Sequence, residues 1–221
     1  MMIFASVTQK YPIPDWMSLF RMRTSDPRID FFDRLADDWD NQQQSLAETI
    51  RQIERYADRL ALQAGMSLLE VGCGTGQLTG WLLEQVRPGR VLAVDFSPKM
   101  LAHAVQKVRG ADFRLADVCT DELGVAEFDL ALCFHSFPHF RDPPAALRNI
   151  ARALKPYARL VVLHLDCRAE VNAFHRGVGG AIAGDFLPDD PQWLDWLASA
   201  GFNRPIILDD DGFFLQATRT G

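Results

Sequence analysis

Residues 69–76 read Leu69-Glu70-Val71-Gly72-Cys73-Gly74-Thr75-Gly76, and the fold turns on how this stretch is taken. The apolar run Ser67 to Val71 stops at the glycine cluster, and Leu78 to Gln85 beyond it has helical spacing. The stretch therefore reads as a buried strand feeding a turn that opens a helix. Glycine at such a turn lets the backbone bend sharply and come close to a ligand. A dinucleotide-binding loop spaced G-x-G-x-x-G would place glycines at 72, 74 and 77. Position 77 is Gln77 and the third glycine is Gly76. That spacing disfavours a nicotinamide or flavin cofactor.

Outward from the loop the pattern alternates. Val91 to Val94 is a strand ending at Asp95, Pro98 to Val108 a helix, and Asp112 to Leu115 a short strand. Phe128 to Phe134 is a strand, Pro144 to Leu154 a helix, and Arg159 to Leu165 a strand. Such alternation predicts an α/β fold, a doubly wound and mostly parallel sheet with helices on both faces. Pro191 to Ala200 is helical and is closed by Gly201. Ile206 to Leu208 and Phe213 to Ala217 then flank Asp211-Gly212, the signal of a tight hairpin, so the sheet should finish with an antiparallel strand.

Before the loop, Phe31, Phe32, Leu35 and Trp39 recur at helical spacing with acidic residues between them, a buried stripe of a packing helix that also has the means to close over a ligand. A second helix is expected over Leu46 to Gln63, with Ile50, Ile53, Ala57, Leu60 and Ala61 inward and Gly65 ending it. Residues 29–64 thus form a helical cap on a single domain spanning 29–221. Residues 1–28, with Pro12 and Pro14, read as an irregular arm. Residues 167–190 carry four glycines and no clear period, and read as a lid-like insert.

The chain has 221 residues, 48% hydrophobic and 24% charged, which suits one globular domain stable without disulfides. Its net charge of -6, with no basic stripe, argues against a nucleic-acid partner. Cys73, Cys119, Cys133 and Cys167 lie in or beside apolar runs and form no CxxC pair, so they read as the reduced thiols of a cytoplasmic protein. No run approaches the roughly 18 apolar residues that span a membrane. Met1 to Trp16 lacks the basic start and apolar stretch of a signal peptide. Met17 and Met22 are alternatives to Met1 as the true start.

Two carboxylates extend the candidate site. Asp95 follows Gly76 by 19 residues and stands where it can accept both hydroxyls of a ribose, a feature shared by several nucleotide cofactors. Asp117, just past the third strand, can receive an adenine amino group, with the Val118 N–H available to a ring nitrogen. Phe96 and Met100 can sandwich the base.

Taken together, the glycine loop, Val94-Asp95-Phe96-Ser97-Pro98, Ala116-Asp117, Phe128-Asp129-Leu130-Ala131-Leu132 and Leu154-Lys155-Pro156 resemble the class I S-adenosylmethionine-dependent methyltransferases. They look most like the small-molecule branch that includes ubiquinone-type C-methyltransferases, over about Phe31 to Thr218. The resemblance implies a Rossmann-like sheet of seven strands, the last antiparallel, and S-adenosylmethionine as cofactor. It implies that Glu70 and Gly72, in the loop with Gly74 and Gly76, hold the methionine end, that Asp95 holds the ribose, and that Asp117 with Val118 holds the adenine. Phe134 or His135 should lie beside the methionine group. The chain departs from the family at Tyr157-Ala158, where glycines usually precede the fifth strand.

The acceptor side rests on histidines. His135 and His139 follow the fourth strand, His164 ends the fifth, and His175 lies in the insert. Three readings stand side by side. A histidine, with His164, His175 and His135 as candidates, acts as general base. Alternatively His139, His164 and His175 bind a transition metal, with Asp166 or Cys167 assisting. In the third reading the imidazoles simply line the pocket of a small-molecule acceptor. His135 and His139 are four apart but interrupted by Pro138, so they do not share a helix face. Asp142-Pro143-Pro144-Ala145 resembles a motif of amino-methylating DNA enzymes, yet it falls eight residues after Phe134 and reads better as a helix start. Cys133 lies inside a strand, which disfavours cysteine-dependent base methylation. The alternative to a methyltransferase is a non-catalytic module that binds the adenosyl ligand or a metal.

Overall fold

The computed structural model describes residues 26–221. Most of the arm expected over 1–28, with Met17 and Met22, lies outside the described residues. Asp26 caps the first described helix, α1 (Pro27–Leu35), accepting from the Arg28 N–H at 3.0 Å. The helical pattern thus starts two residues before the expected boundary, with Pro27 in the first turn where its missing N–H costs nothing.

Seven strands form one sheet in the order β3-β2-β1-β4-β5-β7-β6. They are β1 (Ser67–Val71), β2 (Arg90–Asp95), β3 (Asp112–Leu115), β4 (Phe128–Phe134), β5 (Leu154–His164), β6 (Phe202–Asp209) and β7 (Phe213–Arg219). Only β7 runs against its neighbours, pairing antiparallel with β5 and β6. The Rossmann-like sheet with its antiparallel last strand is therefore as expected, and Asp211-Gly212 does close the hairpin.

Because successive strand residues face opposite sides, the apolar runs supply two cores at once. On one side Leu69, Val71, Ala131, Cys133, Leu160 and Val162 pack against α7 (Pro143–Ala153) and α9 (Asp190–Ser199), through Leu147, Ile150, Trp193 and Leu197. On the other, Leu68, Ala93, Leu130, Leu132 and Val161 pack against α5 (Thr79–Val86) and α6 (Pro98–Lys107), through Leu82, Leu83 and Leu101. Caps fix where these helices begin: Ser97 accepts from the Met100 N–H and Asp142 from the Ala145 N–H. The latter supports Asp142-Pro143-Pro144 as a helix start.

The N-terminal helices depart from expectation in two places. Trp39 does not share a helix with Phe32, because α1 ends at Leu35 and Trp39 opens the short α2 (Trp39–Gln42). The expected helix over Leu46 to Gln63 is instead α3 (Leu46–Ile53), a 3-10 turn at Glu54–Tyr56, and α4 (Ala57–Leu60). It stops at Ala61, which takes a left-handed conformation (φ 42°), before Gly65. Arg159 of β5 explains the early end, since its guanidinium donates to the Arg59 and Leu60 carbonyls at 2.8 Å each. Carbonyls that a helix end leaves without partners are satisfied there by a side chain. The segment 167–190 is not irregular throughout; it contains α8 (Arg168–Val178) and a 3-10 turn at Gly180–Ile182. Among the described residues no helix is long and apolar enough to cross a membrane.

Candidate active site

β1 is paired with β2 on one side and β4 on the other, so the direction of winding switches there and a crevice opens at the carboxyl ends of these strands. A cleft of about 710 Å³, counted to its open mouth, fills that crevice.

The glycine loop makes one wall. Gly72 has φ 77°, and a Cβ there would lie 2.3 Å from the Ser136 Cβ. Ser136 comes this close because its hydroxyl donates to the Val71 carbonyl at 2.6 Å, tying the end of β4 to the end of β1. Gly76 serves packing rather than the cleft: a Cβ there would meet the Ala104 Cβ of α6 at 3.0 Å, and Gly76 does not line the cavity. Glu70 is also set behind the loop. It is 3% exposed, its Oε2 accepts from the Thr79 hydroxyl at 2.6 Å, and it is absent from the cleft wall. Burial pushes its carboxyl up to about 8, and nearby Asp95 adds to the shift. Glu70 and Gly76, both expected at the ligand, are covered by strand and helix packing in this structure.

Asp95 does reach the cleft. Its Oδ2 accepts from the Gly74 N–H and its Oδ1 from the Ser97 N–H, both at 2.8 Å. Burial raises its carboxyl to about 6 against the pull of those N–H groups. Each carboxylate oxygen keeps a lone pair beyond the bond it accepts, which is what a ribose diol requires. Phe96 and Met100 line the same region, as do Gly72, Gly74, Asp117 and Val118. Asp117 is engaged by a cation that sequence reasoning missed: Arg141 Nε and Nη2 donate to its Oδ2 at 3.0 and 2.7 Å. Its Oδ1 accepts from the Cys119 N–H. These donor and acceptor sets fit an adenosyl ligand, with Asp95 for the ribose and Asp117 with Val118 for the adenine.

A buried aspartate on α1 also went unrecognised. Asp33, read only as a polar spacer, accepts from the Ser97 hydroxyl at 2.7 Å and the Lys99 N–H at 3.1 Å. A carboxylate at the N-terminus of α6 is favoured by the helix dipole, and it docks α1 beside the cleft. Phe32 of α1 lies edge-on to Phe96, Trp39 and His139.

The histidines split by position. His135 and His139 line the cleft; His164, His175 and Phe134 do not. His135 holds a left-handed backbone (φ 52°), a strained geometry for a non-glycine residue that clusters at functional sites. Its Nε2 accepts from the Leu165 N–H at 3.4 Å. His164 is 2% exposed, its imidazole is driven well below its ordinary pKa by burial, and its Nε2 has no partner among the described residues. His175 donates Nδ1 to the Asp185 carbonyl at 2.9 Å. His139 Nδ1 stands 2.7 Å from the Asp185 carboxylate. Asp185 was not singled out in the sequence, since nothing local marks it within a glycine-rich stretch.

The geometry around His139, His164 and His175 lends the metal reading no support. Two of the three imidazoles are turned toward Asp185 and the third is buried in the core. Among the described residues no group of three or more His, Cys, Asp or Glu side chains is arranged to hold a metal ion.

Comparison with known proteins follows the same lines. Residues 69–162 match the model of a methyltransferase domain family. The chain is 33% identical over 203 residues to a demethylmenaquinone methyltransferase of Thermus thermophilus, covering 80% of this chain and 89% of that protein. The chain belongs to the class I methyltransferases. It is also 31% identical over 173 residues to phosphoethanolamine N-methyltransferase 1 of Triticum aestivum, but spans only 33% of that protein's length while 74% of this chain is matched. Among solved structures, a Thermotoga maritima protein described as a SAM-dependent methyltransferase and possible histamine N-methyltransferase superposes with a TM-score of 0.66 at 17% identity. That match covers 87% of this chain and 99% of the other. The methyltransferase fold thus extends across nearly all described elements.

Proposed function

We propose that this chain transfers the methyl group of S-adenosylmethionine to a small, neutral aromatic acceptor bearing an ionisable hydroxyl, of the hydroquinone class. One observation carries the choice of acceptor. Among the described residues lining the cleft, Arg141 is the sole lysine or arginine, and it is paired with Asp117, whereas Asp26, Asp95 and Asp117 are all acidic. A phosphate ester needs unpaired cations or a row of N–H groups, and its charge would be repelled here. An aromatic acceptor instead finds Phe32, Trp39 and Phe140. The Thermus relative, by its name, acts on demethylmenaquinone, in keeping with this chemistry.

When bound, S-adenosylmethionine supplies a methyl group already activated on a sulfonium sulfur. The chain's task is to align the acceptor and exclude water, which can supply roughly 7–11 kcal/mol of the barrier. The helices over 29–64 and the segment 167–190 are the covers beneath which the acceptor enters. Their support is the position of Phe32 and Trp39 on the cleft wall and of Asp185 against His139. The free cysteines, three of them buried, suit the cytoplasm. The acidic lining gives no footing for a nucleic-acid backbone.

The test is calorimetric titration with S-adenosylhomocysteine, followed by labelled-methyl transfer to 1,4-naphthohydroquinone and to phosphoethanolamine. Binding to the wild type should weaken by about 100-fold in Asp95→Ala, the scale of two lost charge-assisted hydrogen bonds. The label should appear in the naphthohydroquinone product. No binding by folded, ligand-free protein would sink the cofactor reading. Transfer to phosphoethanolamine alone would sink the acceptor reading.

A further inference from the structure

We propose that His139 is the general base that deprotonates the acceptor hydroxyl, and that Asp185, held by Arg28 of α1, is the positioning residue that makes it one. Four histidines lie close enough to influence one another, yet three are disqualified by their surroundings. His164 is buried away from the cleft. His175 stands outside the cleft wall and donates to a backbone carbonyl. His135 lines the cleft, but its Nε2 lone pair already accepts from the Leu165 N–H. His139 lines the cleft, has one nitrogen fixed by a carboxylate, and its Nε2 has no partner among the described residues.

The tautomer follows from the partner. Asp185 is buried, and burial works against its ionised form. Hydrogen bonds from His139 and Arg28 outweigh that and hold its carboxyl below the ordinary value. An ionised carboxylate only accepts, so the proton of a neutral His139 sits on Nδ1 and the lone pair on Nε2. Arg28 closes the arrangement: its Nε reaches Asp185 Oδ1 and Oδ2 at 2.9 and 3.1 Å, and its Nη2 also bonds Oδ1. The groups facing His139 are thus Asp185 and Arg28 from the two covers, His175 of α8, Phe32 of α1, and, further off, His135 and His164 at the strand ends. The base is complete only when α1 and the segment 167–190 meet at Asp185.

The step balances simply. The acceptor O–H gives its proton to His139 Nε2 and keeps the electron pair. That pair, on oxygen or delocalised to a ring carbon, forms the new bond to methyl. The S–CH3 bond breaks with its electrons left on sulfur as a neutral thioether. One proton leaves overall, from the imidazolium or, after attack by carbon, from the ring position with the hydroxyl proton restored.

Substitution of Asp185 separates this role from a structural one. In Asp185→Asn the single oxygen stays at the Oδ1 position, which takes two of the three Arg28 bonds, so the amide NH2 takes the Oδ2 position facing His139. It donates to Nδ1, drives the imidazole proton to Nε2, and removes the base while leaving shape and volume unchanged.

The first measurement needs no acceptor and depends on the methyltransferase reading only for its ligand. In full-length protein labelled with 15N-histidine and saturated with S-adenosylhomocysteine, long-range 1H–15N spectra should show the neutral His139 protonated on Nδ1. In Asp185→Asn it should be protonated on Nε2, with S-adenosylhomocysteine affinity within about threefold of wild type. A wild-type His139 protonated on Nε2, or a tautomer unmoved by Asp185→Asn, overturns the proposal. So does loss of the fold in both Asp185→Asn and the milder Arg28→Lys, because Asp185 would then be a structural anchor.

The second measurement uses 1,4-naphthohydroquinone. His139→Gln and Asp185→Asn should lower kcat by about 10²–10⁴-fold with KM little changed. The deficit should shrink as pH rises toward an ordinary phenol value of about 10, where the acceptor ionises unaided. Retention of kcat within threefold in His139→Gln overturns the proposal. A wild type that binds S-adenosylhomocysteine but methylates no hydroquinone defeats the acceptor reading, and the tautomer result then decides the dyad by itself.

Discussion

At the cofactor end of the cleft, the Ser136–Val71 and Ser97–Asp33 bonds are long-range, but several bonds that shape the wall join residues near one another in sequence. Ser97 to Asp95 spans 2 positions, Thr79 to Glu70 spans 9, and Gly74 to Asp95 spans 21. At the histidine end the corresponding bonds are long-range: His139 to Asp185 spans 46 and Arg28 to Asp185 spans 157. The first end is a strand-turn-helix unit and its neighbouring strand, built by local conformation and close packing. The second comes into being only where α1, the turn after β4 and the segment 167–190 converge. The first should therefore fail by unfolding or loss of cofactor. The second should fail in its chemistry while the fold survives.

The largest effect is expected at Gly72. A methyl group there meets the Ser136 side chain at 2.3 Å and must adopt φ 77°. Left-handed strain of about 1–2 kcal/mol adds to overpacking of about 1–3 kcal/mol. Gly72→Ala should thus lose roughly 3 kcal/mol in denaturant unfolding and bind no S-adenosylhomocysteine. Wild-type stability in this variant would mean that the ends of β1 and β4 are loosely joined.

Glu70 sharpens the comparison through pH. Its carboxyl titrates near 8 in the folded state against an ordinary value of 4.5. Between those values the folded chain holds the proton more tightly than the unfolded one, so stability declines as pH rises across that window and levels off above it. Glu70→Gln keeps an acceptor for the Thr79 hydroxyl and removes the cost. It should match wild type near pH 4.5 and exceed it by about 2–5 kcal/mol near pH 8.5. Parallel stability curves for the two proteins would show that Glu70 is solvated.

The same difference in sequence separation explains what could be read in advance. The strand ends, the glycine spacing, Asp95 and Asp117 lie on a pattern of period two or 3.6 broken by glycines, and such patterns are carried by adjacent residues. The third and fourth strands match the expected residue ranges for that reason. The early end of the helix expected over Leu46 to Gln63 was not legible, because Arg159, about 100 positions away, takes the carbonyls that would have continued it past Leu60. Asp33 looked like a solvent residue because its partners sit on α6. Arg28 and Asp185 carry no motif at all; only packing brings them to His139. The histidines were visible as a class, but which of them meets the cleft was decided by the turn after β4 and by the depth of β5 in the sheet.

His164 offers a smaller effect. It is held between His135 and Phe213, with ring centroids 5.1 and 6.4 Å away, and its Nε2 has no partner among the described residues. An unpaired buried nitrogen costs about 1–3 kcal/mol, and an apolar side chain of similar size avoids that cost. His164→Leu should therefore equal or exceed wild-type stability by up to about 1 kcal/mol, with S-adenosylhomocysteine affinity unchanged. Unfolding and calorimetry on the same preparation check both. If turnover disappears while both hold, His164 belongs to the catalytic machinery and the histidine end is larger than its cleft-lining pair.

The smallest effect lies away from both ends. Tyr157 lies in the upstream half of β5 with φ 64° and is 75% exposed, opposite the register shift between Phe128 and Leu130. Glycine suits that conformation. Tyr157→Gly should relieve about 1–2 kcal/mol of left-handed strain and give back about 0.5–1 kcal/mol through the freer unfolded chain. The balance corresponds to a Tm higher by about 1–3 °C for a domain of this size. Cofactor affinity and kcat should not move, since neither end of the cleft touches this turn. A lower Tm would show that the exposed ring contributes more by packing against the C-terminal residue Gly221, which lies beside its hydroxyl, than the backbone loses by strain.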